Sequence, residues 1–217
     1  MSRPRGRPKS GQSSLSRTVI VTTALRLIDT AGVEALSMRR LAAELGVDPM
    51  ALYHYVPGKR ALLQGVIALV FGELRVAVED GAPWPNRVRS FARAYHGLIQ
   101  AHPLLARHLA ADADAGAEAA LPANEALYAA LADAGLSPRL TVLAADVIVD
   151  YLHGYALGAA AGELDERATM LTRLSQYPAE QFPVLRRVYG KFNAGAFIGD
   201  WQAGLDLILA GLRALTE

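Results

Sequence analysis

The chain has 217 residues, 52% of them hydrophobic and 20% charged, with a formal net charge of +1 and no cysteine. A chain of this length and apolar content buries a substantial core and is not disordered overall, and without cysteine it has neither disulfides nor thiolate metal sites. Its longest apolar runs contain Asp, Gly or His and fall short of membrane-spanning length, and no secretory signal is visible, so a soluble cytoplasmic protein is expected.

The small net charge hides an asymmetry. Residues 1–60 hold 10 Lys/Arg against 4 Asp/Glu, whereas residues 61–217 hold 12 against 17. A front of net +6 and a back of net −5 imply that only the front meets a polyanion. The opening stretch MSRPRGRPKSGQSS alternates Arg3, Arg5, Arg7 and Lys9 with Ser, Pro and Gly and contains no acid. Residues 1–14 therefore read as a disordered basic arm. Its Arg5-Gly-Arg7-Pro segment resembles the AT-hook, a motif whose arginines enter the minor groove of A·T-rich DNA.

Helical periodicity and helix caps dominate the rest of the sequence, and strand signals are scarce. Ser16 caps a first helix with Val19, Ile20, Thr23, Leu27 and Ile28 on one stripe, and Gly32 ends it. Ser37 caps a second helix that stops at Gly46. Asp48 caps a third, with Pro49 at the first helical position, where its missing N–H costs nothing. A long helix follows from Pro57 towards residue 80. Further helices are expected near 84–101, 103–113, 122–134, 138–162, 165–175, 179–191 and 195–215, with a biased loop or frayed end at 111–117.

Residues 37–56 place two short helices around a turn at Gly46-Val47-Asp48. Leu41, Ala42 and Leu45 form the inner face of one, and Leu52 and Val56 form that of the other. This is a helix-turn-helix, whose second helix enters the major groove of DNA. The segment LIDTAGVEALSMRRLAAELGVDPMALYHYVPGKRALLQGV resembles the DNA-binding domain of TetR-family transcriptional repressors. SMRRLAAELGV, the LYHYV of the recognition helix and KRALL at the next helix carry the match over about residues 15–66. The closing FIGDWQAGLDLILAGLRAL is similar to the last helix of the tetracycline-repressor branch of that family.

The resemblance implies roles for individual residues. Arg39 reaches a base edge or a phosphate, and Ser37 lies beside it at the start of the same helix. Met50, Ala51, Tyr53, His54 and Tyr55 lie on or next to the recognition helix. Tyr53 and Tyr55 give hydroxyls to phosphates, and Lys59 clamps another. Long hydrogen-bonding side chains are scarce on this helix, so added specificity is expected from Arg39 and from Arg5 and Arg7 of the arm.

Residues 67–217 show no phosphate loop, no metalloprotease motif and no nucleophile elbow, so no catalytic residue, metal site or cofactor is assigned. The family resemblance implies a ligand-binding and dimerisation domain. The long apolar helix AADVIVDYLHGYALGAAAGE must be buried on most sides, and AGLDLILAGLRAL carries Leu205, Ile208, Leu209, Leu212 and Leu215 on one stripe. Two such helices per subunit suit a homodimer interface. Tyr95, His102, Tyr128, Tyr151, Tyr155 and Phe197, with His153, offer aromatic walls with polar tips for a ligand pocket. His102 sits where the tetracycline-repressor branch uses a histidine for a magnesium–drug complex. The residues after it are Leu104, Leu105 and Ala106, and the acid expected from the partner is displaced to Glu163. These departures point to an apolar or aromatic ligand.

The sequence thus predicts an all-α protein: a basic arm (1–14), a three-helix DNA-binding domain (15–62) and a larger helical domain (63–217). The expected activity is that of a ligand-responsive repressor. It would bind double-stranded operator DNA as a homodimer, be released by a small hydrophobic or aromatic effector, and have no enzymatic function. A ligand-independent DNA-binding regulator whose helical domain serves only dimerisation is the alternative.

Overall fold

A computed structural model describes residues 15–77, 81–112, 116–160 (159 and 160 by backbone alone), 170–191 and 201–216. Arg5, Arg7, Glu163 and Phe197 lie outside the described residues. Among those described, the secondary structure is helical with no strand. The chain divides into two compact units, Met1–Leu69 and Val70–Glu217.

In the first unit, α1 (Arg17–Ala31), α2 (Met38–Leu45) and α3 (Pro49–Tyr53) lead into α4 (Lys59–Glu73), with a short 3-10 turn at Val33–Ala35. The caps are those the sequence predicts. The hydroxyls of Ser16 and Ser37 accept from the backbone N–H of Val19 at 3.2 Å and Arg40 at 3.1 Å, and Asp48 accepts from Met50 at 2.8 Å. Gly46 closes α2 in the left-handed region at φ 66°, open to glycine without a Cβ penalty. The helix expected from Pro57 begins at Lys59, because Gly58 takes φ 153°, outside helical geometry. It ends at Glu73, where the Arg75 guanidinium donates back to the carbonyl of Gly72.

The second unit contains α5 (Trp84–Ala101), α6 (Pro103–Ala111), α7 (Ala117–Ala132), α8 (Pro138–Ala160), α9 (Met170–Leu174), α10 (Pro183–Tyr189) and α11 (Trp201–Ala214). α5, α7 and α8 pack on one another, and α6 and α11 add to α8. Phe91, Ile99, Leu105, Leu127, Leu131, Ile148 and Leu152 are buried in this core.

Three expectations are corrected. α7 starts five residues before Pro122, which sits inside the helix; a proline this close to the start removes only one early hydrogen bond. α10 starts at Pro183 rather than near 179, after Phe182 in the left-handed region (φ 58°). The Arg186 side chain donates to the carbonyls of Tyr177, Pro178 and Gln181 and so holds the non-helical turn before it. The third concerns α8. Pro138–Gly158 is long and apolar enough by length and composition to cross a membrane, yet only a third of its apolar window is buried. Thr141, Ala144, Ala145, Ile148, Leu152 and Ala156 face the core, while Val142, Leu143 and Val147 are exposed beside Asp146 and Asp150. A half-covered stripe containing two carboxylates describes a helix of a helical domain rather than a membrane span.

Candidate functional site

The first unit separates packing from presentation within a few residues. Leu41, Ala42, Leu52 and Val56 are at most 1% exposed and lock α2 against α3. Met50 is 67% exposed, Tyr53 45% and Tyr55 43%, and Ser37, Arg39, His54 and Lys59 are exposed as well, with Ala51 half-buried. Arg39, Lys59 and Arg60 make no ion pair among the described residues. The unit therefore exposes cations without acidic partners together with two phenols, groups that suit phosphate contact.

The second unit gathers aromatic groups from α5, α8 and α11. Tyr95 is stacked on Phe91, with ring centroids 5.5 Å apart, and its hydroxyl lies 2.9 Å from Nε2 of His153. Burial pushes the Tyr95 phenol up to about 12 and lowers the His153 imidazole, an effect the Asp150 carboxylate partly opposes. The pair is therefore a hydrogen bond between uncharged groups at neutral pH. His96 is 6% exposed, lies flat on Trp201 with centroids 4.6 Å apart, and is held below its usual imidazole range by burial. Its Nε2 is buried without a hydrogen-bond partner among the described residues. The Tyr151 ring lies near Tyr155, and its hydroxyl donates to the carbonyl of Trp201 at 2.8 Å. Gly204 permits this crossing, since a Cβ there would fall 2.1 Å from the Tyr151 oxygen.

Of the predicted pocket residues, Tyr95 groups with Phe91 and His153, whereas Tyr151 and Tyr155 group with His96 and Trp201. His102, between α5 and α6, lines a separate cleft of about 330 Å³ with Val70, Leu74 and Leu98. Tyr128 lines a shallow groove of about 430 Å³ with Leu136, Pro138 and Val142. Among the described residues no cluster of His, Asp and Glu has the makings of a metal site.

Two family models match the chain. One, described as bacterial regulatory proteins of the tetR family, covers residues 20–66, and the other, the tetracyclin repressor-like C-terminal domain, covers residues 78–216. The chain belongs to the TetR family of transcriptional regulators. It is 34% identical over 211 residues to an HTH-type transcriptional regulator of Saccharopolyspora erythraea, spanning 92% of this chain and 85% of that one. It is 31% identical over 212 residues to the class C tetracycline repressor protein of Escherichia coli, spanning 94% and 93%. Apo ActR of Streptomyces coelicolor has a similar structure, with a TM-score of 0.78 at 28% identity over 95% of this chain and 98% of that one. ActR in complex with actinorhodin gives 0.75 at 28% identity over 94% and 99%.

His96 and Trp201 of this TetR-family chain group with Tyr151 and Tyr155, and the sequence reading does not single them out. A signal was present for His96. It lies one position after Tyr95 in an amphipathic helix, and an inward-facing ring there has to meet whatever crosses α5. Trp201 carried none, because its partner is 105 positions away in sequence.

Proposed function

We propose that this TetR-family regulator is a repressor that binds a palindromic operator in double-stranded DNA as a homodimer in the cytoplasm. A small hydrophobic or aromatic effector, held by the rings of α5, α8 and α11, releases it. The observation that carries the reading is the pairing of uncommitted cations with exposed phenols around α3, where Arg39 and Lys59 have no ion-pair partner among the described residues. Arg39, beside Ser37, contacts a base edge or phosphate; Tyr53, Tyr55 and Lys59 contact phosphates; Met50, Ala51 and His54 line the groove. Arg5 and Arg7 of the arm enter the minor groove.

Support for the homodimer comes from apolar surface that one chain leaves uncovered. Val142, Leu143 and Val147 of α8 are exposed, Leu207 of α11 is 77% exposed, and α10 buries no residue. A second copy covers such surface and sets two recognition helices for successive major grooves. ActR, which resembles this chain, has been crystallised with actinorhodin, and this supports a small-molecule effector. Tyr95, Tyr151 and Tyr155 supply ring surface for it, with His102, Tyr128 and Phe197 as outer contacts. The effector acts through its differential affinity for the DNA-bound and free conformations.

The test is a gel shift on the DNA upstream of the protein's own gene, titrated with a panel of hydrophobic aromatic compounds. Release by one compound class is the expected outcome. Tight binding that every compound leaves intact favours the ligand-independent regulator. Deleting residues 1–12 is expected to weaken binding and lower its salt slope, and an unchanged slope removes the arm from the interface. Light scattering is expected to give a dimer that Leu207→Asp converts to monomer.

A further inference from the structure

We propose that the clefts along α5 and α11 hold the carboxylate of an aromatic acid, with its ring against Trp201 and its anionic group on Arg93. The proposal rests on the effector reading above and narrows it from aromatic ligands to anionic ones.

Three arginines line this side of α5, and two are committed. Arg87 is ion-paired with Asp133. Arg89 sends Nε and Nη2 to the same oxygen of Asp206 at 2.9 and 2.8 Å. Arg93 is exposed, and its guanidinium contacts only the Ser90 hydroxyl at 3.2 Å, with no acid among the described residues. Arg89 and Arg93, one helical turn apart, are shared by two clefts. One, of about 400 Å³, also takes in Asn86, Arg87 and Ser90. The other, of about 220 Å³, takes in Trp201, Gln202 and Asp206. Among the described residues, the Asp206 charge is answered by Arg89 and that of Asp133 by Arg87, which leaves Arg93 as the cation without an acid.

The guanidinium fork matches a carboxylate in shape and remains charged at every working pH. Trp201 supplies the apolar half of the site. Its ring is backed by the buried His96, which fixes the indole as a stacking surface. A ligand that is both planar and anionic satisfies the two halves together; a neutral ring leaves Arg93 unanswered, and an inorganic anion leaves the indole unused.

The experiment compares 2-naphthoate with 2-naphthamide, which shares the ring but carries no charge, by calorimetry on the full-length protein. The expected result is a preference for the carboxylate of at least about tenfold, as for one charge-assisted hydrogen-bonded pair. Arg93→Gln is expected to abolish the preference and Arg93→Glu to reverse it. Because Arg93 is exposed and makes one hydrogen bond, both variants are expected to melt with the parent. In a Trp84→Phe background, naphthoate is expected to quench the fluorescence of Trp201. Equal binding of acid and amide, a preference that survives in both variants, or sulfate binding as tightly as naphthoate overturns the proposal. The gel shift separates it from the effector reading. Arg93-dependent binding without DNA release upholds this site and removes that reading. Release that is indifferent to Arg93 does the reverse.

Discussion

The two units of the chain handle polar groups in opposite ways. In the first, polar side chains satisfy the backbone over two or three residues, as Ser16, Ser37 and Asp48 do, and Thr23 is the polar residue buried among the described ones. In the second, rings with polar atoms lie inside and find partners far away in sequence: Tyr95 with His153 across 58 positions, and Tyr151 with the Trp201 carbonyl across 50. A unit built by short-range rules leaves its functional groups outside, ready for an extended partner such as DNA. A unit with polar rings inside has an interior that can recognise a small molecule, at the cost of depending on a few long-range contacts.

The contrast is tested most severely by one substitution in each unit. Leu52→Ala removes a side chain that is fully buried between α2 and α3, and a loss of about 3 kcal/mol is expected for such a core truncation. Far-UV circular dichroism is expected to show helix lost at lower temperature, ahead of any change in tryptophan fluorescence, because Trp84 and Trp201 both lie in the second unit. Gly204→Ala sets a methyl against the Tyr151 hydroxyl, and a cost of about 2 kcal/mol is expected from overpacking. Here the fluorescence transition moves. Adding Tyr151→Ala is expected to remove most of the Gly204→Ala penalty, giving a coupling of more than about 1 kcal/mol between the two sites. Additive losses would mean that the close crossing of α8 and α11 does not organise the second unit. A smaller effect belongs to the caps. Asp48→Ala is expected to cost about 1 kcal/mol, the usual value for a lost N-cap.

These differences explain what was legible in the sequence. The starts of α1, α2 and α3 followed from Ser16, Ser37 and Asp48 because a cap acts on backbone two or three residues away. The burial of Leu52 and Val56 followed from their i, i+4 spacing. The start of α7 did not follow, because proline tolerance depends on depth in the helix and residues 117–121 carry no strong cap signal. The extent of α8 burial was missed for another reason. Composition reports how apolar a helix is, not whether its own chain has enough partners to cover it. At the site, the aromatic residue types were readable, but their grouping was not. Tyr95 groups with Phe91 and His153, Tyr151 and Tyr155 with His96 and Trp201, and Tyr128 lines a groove elsewhere in the same unit; this sorting depends on helix crossings that no local pattern encodes.

The smallest expected effect bears on the contrast directly, through acid. His96 and His153 are held by burial below the ordinary imidazole value of 6.5, with Asp150 opposing the shift at His153. Well above pH 6.5 both imidazoles are neutral whether the chain is folded or not, and they add no pH dependence. Below it the unfolded chain takes up protons that the folded second unit resists. Stability is therefore lost as the pH falls from 6.5 towards the lower folded values. The first unit has no buried histidine, so this slope should appear in the tryptophan transition and not in the remaining helical signal. His96→Phe keeps a ring on Trp201 and removes one of the two titrating groups, and the variant is expected to show a shallower loss between pH 7 and 5.5, a range chosen to bracket the imidazole value. A slope left unchanged by both His96→Phe and His153→Phe would place the acid sensitivity outside these two aromatic groups, and the division between an outward-polar front and an inward-polar back would lose its energetic basis.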